Sequence, residues 1–341
     1  MPATLKDIAK RLNLSVSTVS YALNDGPKPV SEEVRHQVLR VADELGYRPN
    51  RIARSLVTRR SRTLGVALPR IERDSLLRSF VQLALNAVVN AAEDEHYDVL
   101  LLTARERNRP EGLNDMIQDS RVDGVLLIAP PEIPETFRLL RESGVPHAVI
   151  SSGAAGEGPY FRGDDAGGVR LALRHLWDLG HRRIAHFAGR LDLFDGRLRR
   201  DTYLAFMAEH GQSVPEGYVV VANYWRDMAH EALPELMRLP VPPTAIFCGN
   251  DEMAIGAITA AQEMGLRVPE DLSIVGFDDM PTVGSFDLLT SVRQPIEDLA
   301  QAAFCELLSQ IDGSPASPGQ VFPTALTVRR STASPKEESF T

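Results

Sequence analysis

The chain has 341 residues with 37 Lys+Arg and 46 Asp+Glu, a formal net charge of −9, and is long enough for two or three domains with ample core. Residues 1–60 hold 11 basic and 6 acidic side chains, a balance of +5 that leaves −14 for the remainder, so the basic end suits phosphate and the acidic remainder does not. No apolar run approaches the roughly 20 residues of a membrane span and no apolar secretion core opens the chain; membrane partners are excluded and a cytoplasmic location is expected.

Thr4, with Asp7 three residues on, is a capping box for a first helix whose Leu5, Ile8, Ala9 and Leu12 share one face. Asn13-Leu14 breaks the run. Ser15 caps a second helix with Val19, Ala22 and Leu23 inside and Val16, Ser17, Ser20 and Tyr21 outside. Small polar groups, a small apolar group and one aromatic on such a face suit base edges and a thymine methyl in the major groove. Taken alone, the pair is equally an ordinary helical hairpin. Val30-Ser31-Glu32-Glu33 opens a third helix, capped by Ser31, with an apolar stripe of Val34, Val38, Leu39, Ala42 and Leu45 that stops at Gly46. Asn50 then caps a short basic segment, through Leu56, too poor in apolar residues to be stable alone.

From Thr63 the pattern changes. Continuous apolar strands are expected at 63–68, 98–102, 124–128, 146–150, 183–187, 244–248 and 272–276, separated by helical stretches such as 80–95. Buried strands between amphipathic helices mean parallel sheets covered on both faces, and nearly 280 residues of this pattern divide best into two lobes. Ligands of such sheets settle at the carboxyl ends of strands. Those ends carry Ser151-Ser152, Gly249-Asn250-Asp251 and Phe277-Asp278-Asp279, with Trp225 as an aromatic able to stack on a sugar face. Each also has a purely structural role open to it: Asp251 as a helix cap, Asp278 as a turn residue, Trp225 as core filler.

Cys248 and Cys305 lie in apolar stretches and are expected as buried thiols, neither disulfide nor nucleophile. His175, His181 and His186, the nearest set of histidines, lack ligand spacing, so no metal site is expected. The Gly-x-x-Gly-x-Gly of residues 153–158 departs from nucleotide-loop spacing, and Pro159 follows where a helix should open. Without a nucleophile elbow or phosphate loop, no enzyme and no cofactor is expected.

Leu5-Lys6-Asp7-Ile8-Ala9, Ser15 to Ser20, Leu23-Asn24, Val30-Ser31 and Gly46-Tyr47-Arg48-Pro49-Asn50 with Ala53, Arg54 and Leu56 resemble the headpiece and hinge of the lac repressor (LacI/GalR) family of transcription regulators. Leu179 to Ala185, Gly249-Asn250-Asp251, Gly265 to Asp271, Val275 to Asp279 and Val292 to Pro295 resemble that family's periplasmic-binding-protein-like core. The resemblance implies an all-α helix-turn-helix headpiece over residues 1–48, a hinge over 49–61, and a two-lobed α/β effector-binding and dimerisation domain over 62–341.

On matched positions, Val16 and Ser17 would read bases, with Tyr21 beside them. Ser15, Thr18, Ser20, Asn24 and Ser31 would hold phosphates, and Leu5 joins this DNA-contacting set. Asn50, Arg51, Ala53, Arg54 and Leu56 would form a helix on the operator, Leu56 wedging into the minor groove. Arg199, Asn250 and Asp278 would contact a sugar-like effector lined by Phe80, Trp225 and Gln294, with Ser151 at the cleft. The implied partners are double-stranded operator DNA, a small effector and a second copy of the chain. Two departures stand out: Tyr21 where many members carry Arg, and Ser151 where many carry an acid. Residues 70–77 read as a local insertion at the cleft mouth. The polar tail from Ser331 has no heptads, so no tetramerising coiled coil is expected. The rival is a transport-type sugar-binding protein, which would need neither the basic headpiece nor its hinge.

Overall fold

The local cap signals near the N-terminus become three helices, α1 (Leu5–Leu12), α2 (Val16–Asn24) and α3 (Glu32–Glu44). They belong to a computed structural model that describes residues 3–24, 29–48, 60–68, 79–102, 121–131, 133–151, 153, 158–281 and 288–336. The chain divides into two units, Met1–Ser61 and Arg62–Thr341. The hinge residues Asn50, Arg51, Ala53, Arg54 and Leu56, the expected insertion at 70–77 and residues 154–157 of the glycine loop lie outside the described residues.

In the first unit, the Thr4 amide and hydroxyl both donate to the Asp7 carboxylate, at 2.9 and 2.7 Å, completing the capping box of α1. Asn13 closes α1 in the left-handed conformation at φ 53°, turning the chain toward α2. The three helices bury Ile8, Ala9, Val19, Ala22, Val38, Val41 and Ala42 against one another. One expectation is corrected: Leu39 is exposed, and Val41 takes its place, because the buried face of α3 runs through Val34, Val38, Val41, Ala42 and Leu45.

The second unit contains two six-stranded sheets. In the first lobe, β1 (Thr63–Ala67), β2 (Asp98–Leu102), β3 (Gly124–Ile128), β4 (His147–Ile150), β5 (Tyr160–Gly163) and β11 (Gly319–Phe322) lie in the order β11-β5-β4-β3-β1-β2, all parallel. In the second, β6 (Ile184–Ala188), β7 (Val219–Val221), β8 (Ala245–Cys248), β9 (Ser273–Asp278), β10 (Thr290–Arg293) and β12 (Ala325–Thr327) lie in the order β12-β10-β9-β8-β6-β7. Only β12 runs antiparallel there, against β10. Strands β3 and β4 are buried along their whole length, as sheets covered on both faces require.

Helices α4 (Ser79–Asp94) and α10 (Ile296–Ile311) pack together on the first lobe; α5 (Pro134–Ser143) also belongs there. Helices α6 (Asp165–Asp178), α7 (Phe194–Glu209), α8 (Arg226–Met237) and α9 (Asp251–Glu263) cover the second. Helix α10 buries Ile296, Leu299, Ala300, Ala303, Phe304 and Leu307 on one stripe. This turns Cys305 outward, and it is exposed, contrary to the buried thiol its apolar neighbours suggested; Cys248 is buried in β8.

The chain passes between the lobes at Gly163-Asp164, at Gln294-Pro295 and at Pro323-Thr324. The passages lie side by side. The Asp164 amide donates to Phe322 O at 2.7 Å and the Thr324 hydroxyl to Asp164 O at 3.1 Å. Gly163 packs so closely on Gln294 that a Cβ there would sit 2.5 Å from Oε1. After β12 the chain docks back on the second lobe. His181 bridges Thr244, Ser273 and Ala333 O at 2.8, 3.1 and 2.8 Å, so it serves as a bolt for this tail. His175 bonds Thr332 at 2.9 Å, and burial pushes His186 in β6 down to about 4.

Candidate functional site

Two places bring the expected residues together. The first is the outer face of α2. The Thr18 amide donates to Ser15 Oγ at 3.0 Å and the two hydroxyls lie 2.8 Å apart, so Ser15 caps the helix as its position dictates. Val16, an apolar residue 41% exposed, and Ser17 stand in solvent beside that cap, while Val19 and Ala22 on the opposite side are buried. Tyr21 is half-buried one turn on. Ser31 accepts the Val34 amide at 3.4 Å at the head of α3. The surface is a helix N-terminus carrying small uncharged groups on a rigid three-helix support, the arrangement that fits a helix into a DNA major groove.

The second is the cleft between the lobes of the second unit. Its described walls are Phe80, Val81, Ala129 and Ser151 from the first lobe and Leu193, Asp195, Arg199, Tyr224, Asn250, Glu252 and Asp278 from the second. Several backbones at these strand ends are left-handed: Ala129 (φ 44°), Ser151 (φ 58°), Tyr224 (φ 67°) and Asp278 (φ 109°). Left-handed non-glycine residues at strand ends aim side chains where regular extension would not, at a local cost of about 1–3 kcal/mol each.

Arg199 on α7 is the centre of the polar network. Its Nε donates to Asp165 at 2.8 Å, its Nη1 to Gly249 O at 2.5 Å, and the same Nη1 lies 3.9 Å from Asp278. The guanidinium also lies 3.8 Å over the Phe277 ring, a cation–π arrangement. Asp278 accepts Gln294 Nε2 at 2.7 Å, which ties the cleft to one of the inter-lobe passages. Burial pushes the Asp278 carboxyl up to about 7 against the opposing pull of Arg199. Burial and the nearby Asp278 charge push Asp251 up to about 8; it accepts the Ser291 hydroxyl at 2.5 Å and the Met280 amide at 2.8 Å. Burial likewise raises Asp165 despite its contact with Arg199.

Asn250 is partly spent on its own helix: its Oδ1 accepts the Met253 amide at 3.0 Å, capping α9, while Nδ2 points to Tyr224 O at 3.4 Å. The Tyr224 hydroxyl donates to Asp195 Oδ2 at 2.5 Å, and its ring lies directly on Gly189, where a Cβ would overlap it at 2.0 Å.

Of the residues singled out in the sequence, Phe80, Ser151, Arg199, Asn250 and Asp278 line the cleft, while Gln294 stands behind Asp278. Trp225 is not in the described wall. It is the N-cap residue of α8, and left-handed turns at Asn223 and Tyr224 bring its neighbour Tyr224 to the cleft instead. Asp195 escaped the sequence reading, although its place four residues before Arg199 puts both on one face of α7. Among the described residues no group of three or more His, Cys, Asp or Glu is arranged to hold a metal ion, and no helix is long and apolar enough to cross a membrane.

Comparison with known proteins matches two family models. Residues 4–50 match "Bacterial regulatory proteins, lacI family", and residues 173–332 match "Periplasmic binding protein-like domain". The HTH-type transcriptional repressor PurR of Erwinia tasmaniensis is 33% identical over 345 residues, covering 97% of both chains. Among solved structures, a lac repressor dimer bound to operator and the anti-inducer ONPF superposes with a TM-score of 0.86 at 26% identity, over 98% of this chain and 100% of that one. A transcriptional regulator CelR–cellobiose complex superposes at 0.72 with 30% identity, covering 96% and 99%.

Proposed function

Because the chain belongs to the lacI family of bacterial regulatory proteins, we propose that α2 reads operator DNA while the inter-lobe cleft takes a sugar-like effector that controls it. The protein is a DNA-binding transcriptional repressor regulated by a small molecule, and it acts as a dimer on operator DNA. A dimer meets a near-palindromic operator because twofold protein symmetry is matched by twofold site symmetry.

The assignment of residues is ours. Val16 and Ser17 read base edges, with Tyr21 next to them; Ser15, Thr18, Ser20, Asn24, Ser31 and Leu5 meet the backbone. Residues 1–48 form the headpiece and 49–61 the hinge, in which Asn50, Arg51, Ala53, Arg54 and Leu56 take the DNA-dependent role. The observation that carries the effector half is Arg199, buried at the strand ends between two carboxylates and joined through Asp278 and Gln294 to an inter-lobe passage. A ligand there reaches both lobes at once, so it binds one lobe angle better than another, which is the condition for shifting a conformational population. A ligand such as the cellobiose of the CelR complex suits this wall: a polyhydroxylated molecule makes many hydrogen bonds at once, and Phe80 and Tyr224 supply flat apolar faces.

Selection of operators from random DNA, read by fluorescence anisotropy, tests the first half. A full-length protein without sequence preference, or preference surviving deletion of residues 1–60, defeats it. A thermal-shift screen of sugars tests the second, since a ligand bound only by the native state raises its melting temperature. Shifts that persist in Arg199→Ala place the ligand elsewhere.

A further inference from the structure

The cleft is lopsided in its hydrogen-bonding capacity. Among its described lining residues Arg199 is the only cation, and its donors already meet Asp165, Gly249 O and the vicinity of Asp278. The Asn250 carbonyl is spent on the Met253 amide, and the Tyr224 hydroxyl donates to Asp195. On the acceptor side capacity is left over. Asp195 is 8% exposed, yet only its Oδ2 is engaged; Oδ1 is buried without a hydrogen-bond partner. Buried carboxylate oxygens are ordinarily satisfied, so one left unpaired on a residue that lines a cleft marks a place for a donor from outside. The wall carries three acidic side chains, Asp195, Glu252 and Asp278, against the single guanidinium of Arg199, a formal excess of negative charge.

Resting on the effector-cleft reading above, we propose that Asp195 sets the chemical class of the effector. Its open Oδ1 accepts a hydrogen bond from a ligand hydroxyl or ammonium, so the cleft takes a neutral or amine-bearing polyol and rejects acidic sugar derivatives. The selection works from both sides. A donor-bearing ligand satisfies the orphaned oxygen, whereas a ligand carboxylate or phosphate placed there faces a buried like charge and leaves that oxygen unpaired. Tyr224 is the positioning residue: its hydroxyl holds Oδ2, and its ring, seated on Gly189, fixes where Oδ1 is presented.

The experiment uses the full-length protein and matched probes: D-glucose, D-glucosamine and D-glucuronate with their galactose counterparts, measured by calorimetry and thermal shift. The expected result is binding of neutral or amino members and at least tenfold weaker binding of the uronates. In Asp195→Asn the amide still accepts the Tyr224 hydroxyl but turns a donor toward the ligand, so the gap between neutral or amino members and uronates should close or invert. Preference of the wild type for a uronate overturns the assignment whether or not the variant folds, as does an unchanged preference order in folded Asp195→Asn. Absence of binding by every probe, or binding that survives Arg199→Ala, defeats the carbohydrate-cleft reading itself and this inference with it.

Discussion

The polar side chains at the head of α2 stand near water and are satisfied within one turn of helix, whereas the Arg199 network of the cleft is buried and held together across several elements. Ser15 needs only Thr18, three residues away. Arg199 needs Asp165, 34 residues away, and Gly249, 50 residues away. A surface built from locally satisfied groups can change one residue at a time with little effect on folding. A buried network cannot, because each member removed strands another in a medium of low dielectric. On the proposed assignment, the DNA-reading face is therefore free to change by single substitutions at little cost in folding, while most changes within the Arg199 network carry a cost in stability.

The largest test of this contrast is Arg199→Ala. It leaves Asp165 buried without its counter-ion and should cost about 3–5 kcal/mol of stability in chemical denaturation. Adding Asp165→Asn should recover part of that loss, and strictly additive losses would break the claim that the cleft acts as a unit. Next comes pH. The carboxyls of Asp251 and Asp278 rise from 3.8 to about 8 and about 7 on folding. Between those limits the folded chain holds protons that the unfolded chain has released. This contribution to stability is thus fully present below about pH 4 and lost as pH rises through 7 and 8, with a slope of at most about 1.4 kcal/mol per pH unit for each group. Asp251→Asn mimics the protonated form and should flatten the profile; an unchanged slope would remove Asp251 from the account.

On the headpiece, Val16→Ala and Ser17→Ala should each weaken specific operator binding by about 1–3 kcal/mol. Their melting temperatures should stay near wild type, since surface changes fall within about 0.5 kcal/mol. Equal loss of specific and nonspecific binding would show that these side chains do not read bases. The smallest effect belongs to Ser15→Ala, which removes a helix cap worth about 1 kcal/mol and should appear as a modest drop in headpiece stability.

Legibility followed locality. The Thr4–Asp7 box and the Ser15 cap were readable because three residues of sequence contain the whole interaction. Strands β1, β3, β4, β6, β8 and β9 are legible as apolar runs because they lie inside their sheets; β2 is legible too, although it lies at a sheet edge and only Leu102 of it is buried. The edge strands β7, β11 and β12 are short and half-exposed, and β5 mixes Arg162 and Gly163 into its four residues, so none carries that signature. In the cleft, Asn250 and Asp278 are legible from their places at strand ends, whereas Arg199, on a helix, comes from family resemblance alone. Tyr224 is hidden in the sequence by its own backbone, because two successive left-handed residues bring it, and not the adjacent Trp225, to the cleft wall. Asp195 carries no sequence signal beyond its place four residues before Arg199 on α7. Only the partner sets distinguish the two: Arg199 turns to Asp165, and Asp195 keeps one oxygen open.

The three passages between the lobes, laced together by Asp164, Phe322 and Thr324 with Gln294 wedged against Gly163, have a mechanical meaning. Ribbons set side by side form a flexure: compliant to bending about the line that crosses them, stiff to twist, stretch and sideways slip. The lobes are left with essentially one coordinate, an angle. A ligand that set this angle would transmit a single scalar, and Gly163→Ala, by forcing Gln294 aside and with it the bond to Asp278, would disturb the lacing and the cleft wall together.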